Sequence, residues 1–199
     1  GHQDELSTKL KKFTDWLKEV KHPAPEGQIP ADNEADTPFS SESDIEKVIR
    51  QEELLVFKSF DESDAWNLGI ALRLEAEKYP AGVAIDIRRG DQILFFSSMP
   101  GATEINADWA RRKRNLVNLM HTSSYLVGLQ IRFAGAADRV EHLDETDYAW
   151  HGGCFPIRVN GEGVVATATI SGLPQRDDHK LVSDVIADYL GIDLGEFAL

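Results

Sequence analysis

Apolar residues recur along the chain in two rhythms, and each predicts one kind of element. Steps of three and four residues are typical of a helix with one buried face, whereas alternation is typical of a strand. The first rhythm predicts helices over residues 5–21, 44–52, 61–78, 104–121, 123–133 and 175–190. In the helix over 61–78, we expect Trp66, Ile70 and Leu74 to form the buried stripe.

Five short segments are rich in the residues that favour strands. They cover residues 54–57, 83–88, 92–97, 155–159 and 164–170. Glycine-centred turns at 89–91 and 160–163 join the second strand to the third and the fourth to the fifth, which predicts two β-hairpins. Two hairpins mixed with helices predict an α+β domain, an antiparallel sheet covered by helices.

The composition changes sharply between residues 22 and 46. That segment holds seven acids, no Lys or Arg, and four of the eight prolines of the chain. It cannot bury enough apolar surface to offset the entropy lost on ordering, so it is predicted to be a linker. We therefore divide the chain into an N-terminal helix with an acidic linker, residues 1–45, and a domain, residues 46–199. The helix must pack on its own domain, on a neighbouring subunit or on a partner.

Charge and composition exclude several classes of protein. The 199 residues carry 21 Lys and Arg against 34 Asp and Glu, a net charge of -13, which opposes binding to nucleic acid or anionic membranes. No apolar run approaches the roughly 20 residues that cross a bilayer. The single cysteine, Cys154, excludes an internal disulfide and a multi-thiolate zinc site. We expect a soluble, cytoplasmic protein without membrane insertion.

Four consecutive cations, residues 111–114, stand within the helix predicted at 104–121. At about 100° per residue, Lys113 lies on the apolar stripe, Arg112 at its edge, and Arg111 and Arg114 on the opposite face. An unpaired buried cation costs several kcal/mol, so Lys113 needs an anionic partner or a ligand. The alternative is a solvated basic turn whose aliphatic stems pack on the core.

A second candidate precedes the fourth strand, where Gly152 and Gly153 permit positive φ and close approach of another group. Their N–H groups can also point into one concavity and hold an anion. His151 stands at the mouth of this turn, either as a proton-transfer or ligand-binding group or simply bonded to a backbone carbonyl. Cys154 enters an apolar strand and is interpreted as a buried small hydrophobe rather than a nucleophile.

A third candidate is the turn over 171–179, where Ser171 and Gly172 end a strand and a helix follows. Asp178 lies within the buried stripe of that helix and His179 on its border. Free N–H groups there can bind a phosphate or carboxylate, although an N-terminal capping cluster explains the pattern equally well. The six histidines form no pair with metal-site spacing, but a single axial haem ligand with a cation for the propionates needs none.

Several ordered segments resemble the haem-degrading-domain family, in its uncharacterised bacterial and fungal branch. They are AWNLGIALR, VAIDIRRGDQILF, DWARRKRN, HTSSYLVGL, DYAWHGGCFPIRV and GVVATATISGLPQRDDH. The resemblance covers residues 53–190, and residues 3–45 look like a fungal addition. It implies a five-stranded antiparallel sheet of the profilin or PAS-like kind, assembly into dimers or larger rings, and haem or another tetrapyrrole as ligand in some relatives. A yeast-type member linked to delivery of tail-anchored membrane proteins implies chaperone or targeting-factor partners.

The resemblance and the residues together predict one ligand pocket. Its residues are Arg112, Lys113, His151, Gly152, Gly153, Ser171, Gly172, Asp178 and His179. The leading hypothesis is an oligomeric cytosolic module that binds haem or a small anion there. An interaction scaffold in tail-anchored protein targeting and a small-molecule enzyme using the same pocket are the alternatives. No catalytic residue and no metal site are predicted.

Overall fold

The computed structural model of the protein describes Thr8, Lys11, Lys12 and residues 40–199. Apart from those three positions, the helix predicted over 5–21 lies outside the described residues, and so does most of the linker predicted over 22–46. Everything below therefore concerns the body of the chain.

All ten helices and strands predicted from residue 44 onward are present, and each keeps its bounds within two residues. The helices are α1 (Ser43–Leu54), α2 (Glu62–Ala76), α3 (Glu104–Met120), α4 (Ser124–Phe133) and α5 (Gln175–Leu190). The strands are β1 (Val56–Phe57), β2 (Ala84–Arg89), β3 (Gln92–Ser98), β4 (Cys154–Val159) and β5 (Gly163–Ser171). None of these helices is both long enough and apolar enough to cross a membrane.

Local signals set the ends of the helices. Asp61 begins α2 with a capping box in which its carboxylate accepts from the backbone N–H of Asp64 at 3.0 Å, and the Asp64 carboxylate accepts from the Asp61 N–H at 2.9 Å. Thr103 begins α3 in the same way, with Asn106 as its partner. Gly191 ends α5 with a φ of 69°, a left-handed conformation that glycine adopts without steric cost.

The strands form one five-stranded mixed sheet in the order β1-β4-β5-β2-β3. The pairs β2–β3, β2–β5 and β4–β5 are antiparallel, which confirms both predicted hairpins. β1 runs parallel to β4, with Val56 opposite Arg158, so the prediction of a purely antiparallel sheet was wrong. The reason is that 96 residues, nearly half of the chain, lie between β1 and β4, so no hairpin turn sets their relative direction.

Helices cover both faces of this sheet. α2 and α5 pack on one face and enclose the main apolar core, with Leu68 and Leu72 from α2, Ile85 and Ile87 from β2, and Val182 from α5. α3 packs on the other face, chiefly against β4 and β5, while α1 and α4 pack on each other. The segments 150–153 and 171–175 therefore leave or enter the sheet beside α3, α4 and the start of α5.

α2 packs on the sheet with a different face from the one predicted. Trp66, Ile70 and Leu74 were expected in the core, yet Trp66 is 59% exposed and Leu74 56% exposed. The buried residues of α2 are Ala65, Leu68, Gly69, Leu72 and Ala76. A Cβ on Gly69 would lie 2.3 Å from the Phe95 ring, so the helix turns its small residues toward β3 because that side lets it approach the sheet closely. α2 is apolar on both sides, and periodicity alone cannot choose between them.

Candidate ligand site

Lys113 projects from α3 into the interior and forms an ion pair with Asp178 of α5. The Lys113 Nζ lies 3.2 Å from the Asp178 Oδ2 and 3.5 Å from the backbone oxygen of Ile170, and both side chains are fully buried. The anionic partner that the sequence pattern required is therefore a residue of the chain itself. A buried ion pair is destabilising unless its remaining hydrogen-bonding groups are satisfied. The hydrogen bonds around Asp178 therefore decide how the pair affects the folding free energy.

Asp178 also closes the turn that leads from β5 into α5. Its Oδ1 accepts from the Leu173 N–H at 3.0 Å and its Oδ2 from the Gly172 N–H at 3.4 Å. Gly172 has a φ of +149°, a conformation that favours glycine. The third candidate segment is thus a turn whose N–H groups bind the buried Asp178 carboxylate rather than an N-terminal cap, and Ser171, also buried, belongs to the β-ladder opposite Ala84.

Gly153 brings the second candidate segment onto the same pair. Its φ is +138°, and a Cβ there would lie 2.3 Å from the Ile170 oxygen and 3.0 Å from the Lys113 Nζ. The backbone must therefore pass directly over the ammonium group, which only glycine permits. We call Lys113, Gly153, Gly172 and Asp178 the sealed junction. It joins three distant segments of the chain, as predicted, but it is closed to solvent.

The cations next to Lys113 on α3 are not all on the faces of the helix where they were predicted. Arg114 was expected on the outer face, yet it is only 7% exposed and forms an ion pair with Asp86 of β2, which also binds the Arg88 Nε at 2.8 Å. Burial lowers the pKa of Arg114, and Asp86 opposes that shift. Arg114 is buried because α3 lies broadly on the sheet, so that two successive residues of the helix face it.

Arg112 lies at the rim, as predicted, and its guanidinium stacks over the Trp109 ring, with its carbon 3.8 Å from the ring centroid. The Trp109 ring in turn meets the His151 ring edge-on at a centroid distance of 4.9 Å. Arg112 also donates to the backbone oxygen of Glu145 at 3.3 Å. Arg112 and Trp109 therefore fix the orientation of the His151 imidazole from the side of α3.

His179, by contrast, belongs to the interior packing of α5 and α1. Its Nε2 lies 2.8 Å from the Gln51 Oε1, and its ring contacts Tyr125 and Phe155. Burial lowers the pKa of this imidazole to about 3, so it is neutral at physiological pH. The structure therefore bonds His179 to Gln51 of α1 and not to the Lys113–Asp178 pair.

His151 lines a cleft of about 400 Å³ between α4, residues 150–152 and the start of α5. Gly152 donates its backbone N–H to the Gln175 Oε1 at 3.2 Å, which ties the segment to α5. A Cβ on Gly128 of α4 would lie 2.0 Å from the Trp150 oxygen, so α4 and this segment are in direct backbone contact. The walls of the cleft are therefore held on both sides.

Sequence reasoning missed most residues of the cleft. Its lining includes Tyr125, Leu129, Arg132, Trp150, His151 and Gln175. Only His151 was predicted to bind a ligand. The signal that could have found the others is the helical spacing of Tyr125, Leu129 and Arg132, which places an aromatic, an aliphatic and a cationic side chain along one face of α4.

A buried polar contact anchors the back of the cleft. The Tyr125 hydroxyl donates to the Asp44 Oδ2 at 2.6 Å, and the Arg176 Nε donates to the same oxygen at 2.9 Å. Burial, followed by the bond to Asp44, raises the pKa of Tyr125 well above its usual value. The three residues come from α4, α1 and α5, and they fix the position of the Tyr125 ring at the cleft.

The predicted pocket is thus divided between two places. Lys113, Gly153, Gly172 and Asp178 meet in the sealed junction, whereas His151 lines the cleft with Arg112 behind it, and the buried Gly152 is bonded to Gln175 of the cleft wall. Ser171 is buried in the sheet and His179 beneath α1. In the part of the chain that the structure describes, no group of three His, Cys, Asp or Glu side chains is placed to hold a metal ion.

Residues 60–187, which contain nearly all of this architecture, match the family described as haem degrading protein HbpS-like. The chain belongs to that family. A UPF0303 protein of Azotobacter vinelandii is 47% identical over 160 residues, covering 79% of this chain and 96% of that protein. A UPF0303 protein of Acidobacterium capsulatum is 44% identical over 162 residues, covering 81% and 98%. Family membership confirms the resemblance and its bacterial branch.

Solved structures of similar fold include the Ybr137w protein, with a TM-score of 0.66 and 29% identity over 74% of this chain and 88% of that one. HbpS gives a TM-score of 0.53 and covers 66% of this chain and 90% of its own. A PduOC complex with heme gives 0.52 and covers 66% and 94%. The last two are each 19% identical to this chain, which shows a shared fold.

Proposed function

We propose that this chain is an oligomeric ligand-binding module whose cleft between α4, residues 150–152 and α5 binds haem, or another planar or small anionic ligand. The observation that carries the proposal is the position of His151, whose imidazole lines a cleft of about 400 Å³ together with the Arg132 side chain. Ligand pockets of this kind are typically ~300–1,000 Å³, mostly apolar, with a few convergent polar groups.

Four side chains of the cleft fit the chemical requirements of a haem, whereas the Glu145 carboxylate, which also lines the cleft, opposes a propionate. An imidazole is a common axial ligand of the iron, and a guanidinium pairs well with a propionate. His151 and Arg132 supply these two groups, and Trp150 and Leu129 supply apolar surface for the macrocycle. When bound, haem would supply an iron centre, and the chain would supply the orientation of the imidazole through Trp109 and Arg112.

The sealed junction does not contribute to this proposal. Lys113 and Asp178 are both fully buried and paired with each other, so a ligand would have to break that pair to reach either one. Opening a buried pair leaves an uncompensated charge at a cost of about 3–5 kcal/mol. The binding groups that we propose are therefore His151, Arg132 and Gln175, rather than the ammonium group predicted from the sequence.

The family supports haem as the first ligand to test. Its description is that of a haem-degrading protein, and one protein of similar fold was solved as a complex with heme. A thiol-based enzyme is a poor alternative, because burial raises the pKa of Cys154 to about 12 and the thiolate is the reactive form.

An optical titration of the full chain with haemin tests the proposal. We expect a shifted Soret band for the wild type and for His142→Ala, whose histidine lies exposed in the loop after α4. We expect His151→Ala to lose the shift or to weaken binding at least tenfold. No Soret shift in the wild type, or the same shift in His151→Ala, would remove haem from the proposal.

Assembly, location and partners remain predictions. The scaffold role and the chaperone or targeting-factor partners depend on residues 1–45, most of which lie outside the described part of the chain. Deleting residues 1–39, which leaves Asp44 and the rest of α1 in place, should abolish capture of such partners while leaving haemin binding unchanged. The cytoplasmic location and the fungal origin of residues 3–45 likewise await a direct test.

A further inference from the structure

Five large apolar side chains are exposed around one edge of the sheet. Trp66, Ile70 and Leu74 project from the outer face of α2, and Ile93 and Phe96 project from β3. We call these five residues the edge patch. None of them lines the cleft, which is built from α4, residues 145–151 and α5. The edge patch is therefore a second surface that the proposed function does not use.

β3 is the last strand of the sheet, and among residues 40–199 only β2 pairs with it as a strand, while Arg73 of α2 donates to the Ser97 hydroxyl. Its sequence, QILFFSS, contains no charged residue and no proline. Proteins usually protect an edge strand of this length with lysine, proline, a β-bulge or a covering element, because its free N–H and C=O groups recruit another strand. β3 has no lysine and no proline, and its one protective feature is a bulge.

A bulge in β3 makes the edge apolar on both sides. Ile87 is opposite Phe95 while Arg88 is opposite Ile93, so Leu94 is the extra residue. Phe95 consequently faces α2, where its ring meets Trp66 at a centroid distance of 5.8 Å. Phe96 is opposite Asp86, on the face where α3 packs, yet it stays 42% exposed because α3 lies mainly over β4 and β5.

We propose that the edge patch is an interface with a second copy of this chain, formed by antiparallel pairing of the two β3 strands about a two-fold axis. The proposal deepens the oligomeric state given in the proposed function and depends on it. A two-fold interface uses the same patch on both copies. The free N–H and C=O groups of one β3 strand can therefore pair with those of the other.

The exposed apolar area favours a second copy, and the charge distribution allows one at β3. At their observed exposed fractions, the five side chains together present about 500 Å² of apolar surface to solvent. This area is more than half of the roughly 800 Å² per partner that a stable interface buries. Two copies, each with a net charge of -13, repel one another over most of their surface. β3 is uncharged, so the copies can approach there.

The alternative occupant within the chain is the helix predicted over 5–21. Its apolar stripe could cover side chains of the edge patch. A helix, however, has its backbone groups bonded internally, so it cannot satisfy the N–H and C=O groups along β3. A strand can, and the partner copy brings one of matching length and composition.

Light scattering on the full chain tests this interface. We expect the wild type to have a mass that is an even multiple of 22.2 kDa, and the double variant Leu74→Lys/Ile93→Lys to have half that mass or less. Leu119→Lys is the matched control, because Leu119 is a similarly exposed leucine on α3, outside the edge patch. Circular dichroism establishes that each variant is folded. A 22.2 kDa wild type at micromolar concentration, or a folded double variant with the wild-type mass, would overturn the proposal.

Hydrogen exchange on the wild type gives a second test that needs no variant. We expect all β3 amides, including those at its outer edge, to exchange slowly. Fast exchange at the outer edge would contradict the pairing. Slow exchange that Leu10→Asp/Leu17→Asp abolishes without a change in mass would assign the surface to the N-terminal segment instead. A haemin titration of the double variant separates the two proposals. Intact haemin binding together with a reduced mass leaves both proposals standing. A wild type that assembles but does not bind haemin would overturn the haem proposal and leave the interface proposal standing.

Discussion

The sealed junction and the cleft lie on either side of two consecutive glycines, and they differ in what their polar groups face. Gly153 covers the Lys113–Asp178 pair, in which the two charges neutralise each other within the chain. Gly152, one residue earlier, is tied to Gln175 at the border of the cleft that His151 and Arg132 line. The same short segment therefore serves stability on one side and, in our proposal, binding on the other.

This difference shows how a buried charge should be interpreted. A lysine on the apolar face of a helix has to be neutralised, but the neutralising group can come from the protein as readily as from a ligand. Lys113 was the most conspicuous residue in the sequence, and Asp178 supplies the counter-charge that it needs. The groups available to a ligand are less conspicuous, because they lie on surfaces that ordinary helix and turn residues provide.

The largest expected effect separates the two regions directly. Lys113→Met should lower the free energy of unfolding by about 3–5 kcal/mol, because it leaves the Asp178 carboxylate buried without its counter-charge. Haemin affinity should stay within twofold of the wild type. Urea denaturation and the optical titration measure the two quantities. A folded Lys113→Met with wild-type stability, or with a large loss of affinity, would show that the two regions are not independent.

Gly153→Ala should be nearly as disruptive. Its Cβ would lie 2.3 Å from the Ile170 oxygen at a φ of +138°, so steric overlap adds to backbone strain, and we expect a loss of about 3 kcal/mol. Gly161→Ala is the control, since Gly161 also has a positive φ but nothing lies near its Cβ, and it should lose only about 1 kcal/mol. Equal losses in the two variants would mean that the chain does not pass closely over the junction. Thermal or urea unfolding gives both values.

The interior histidine predicts a pH dependence. The pKa of His179 is lowered to about 3 in the folded chain, below its ordinary value of 6.5, so the unfolded chain binds the extra proton first. The stabilising contribution of neutral His179 is present above pH 6.5 and is lost as the pH falls toward the folded pKa, at about 1.4 kcal/mol per pH unit. Between pH 7 and 5, the wild type should lose about 2 kcal/mol more than His179→Gln.

His142→Ala is the control for that experiment, because its histidine is exposed. It should keep the wild-type slope of unfolding free energy against pH. If His179→Gln also keeps that slope, the imidazole is not buried in the neutral form.

The smallest expected effect on stability belongs to the cleft. Arg132→Gln should change the free energy of unfolding by no more than about 0.5 kcal/mol, as for most partly exposed side chains. Its affinity for haemin should nevertheless fall about tenfold, since the cation that we place beside the propionates is lost. Arg139→Gln, a nearby exposed arginine, should change neither quantity. A stable Arg132→Gln with full affinity would remove Arg132 from the proposed site.

Sequence patterns predicted most of the fold because most of it depends on local signals. The turns at Gly90 and Gly161 set the two hairpins, and capping residues such as Asp61 and Thr103 set the helix starts. The parallel pairing of β1 with β4 was not predictable from the same signals, since it joins two residues at the start of the domain to a distant strand. The orientation of α2 was missed because Gly69, rather than a large apolar residue, marks the side that packs on the sheet.

The candidate site was predicted in part for a related reason. A helical wheel placed Lys113 and Asp178 in the interior, and the structure agrees. It placed Arg114 outside, because the wheel cannot show that Asp86, a lone acid in the middle of β2, would pair with it. The cleft depends on the tertiary arrangement of α4 against residues 150–152, so Gln175 carried no signal that distinguished it from an ordinary helix residue, and Arg132 carried only its helical spacing from Tyr125 and Leu129.

A crystal structure of the full chain with haemin bound tests the central claim most directly. Our account predicts ligand density in the cleft, against the His151 imidazole and the Arg132 side chain, with the Lys113 Nζ and the Asp178 Oδ2 still paired as they are here, at 3.2 Å. Density at the sealed junction with that pair broken, or bound haemin that does not touch His151, would contradict it.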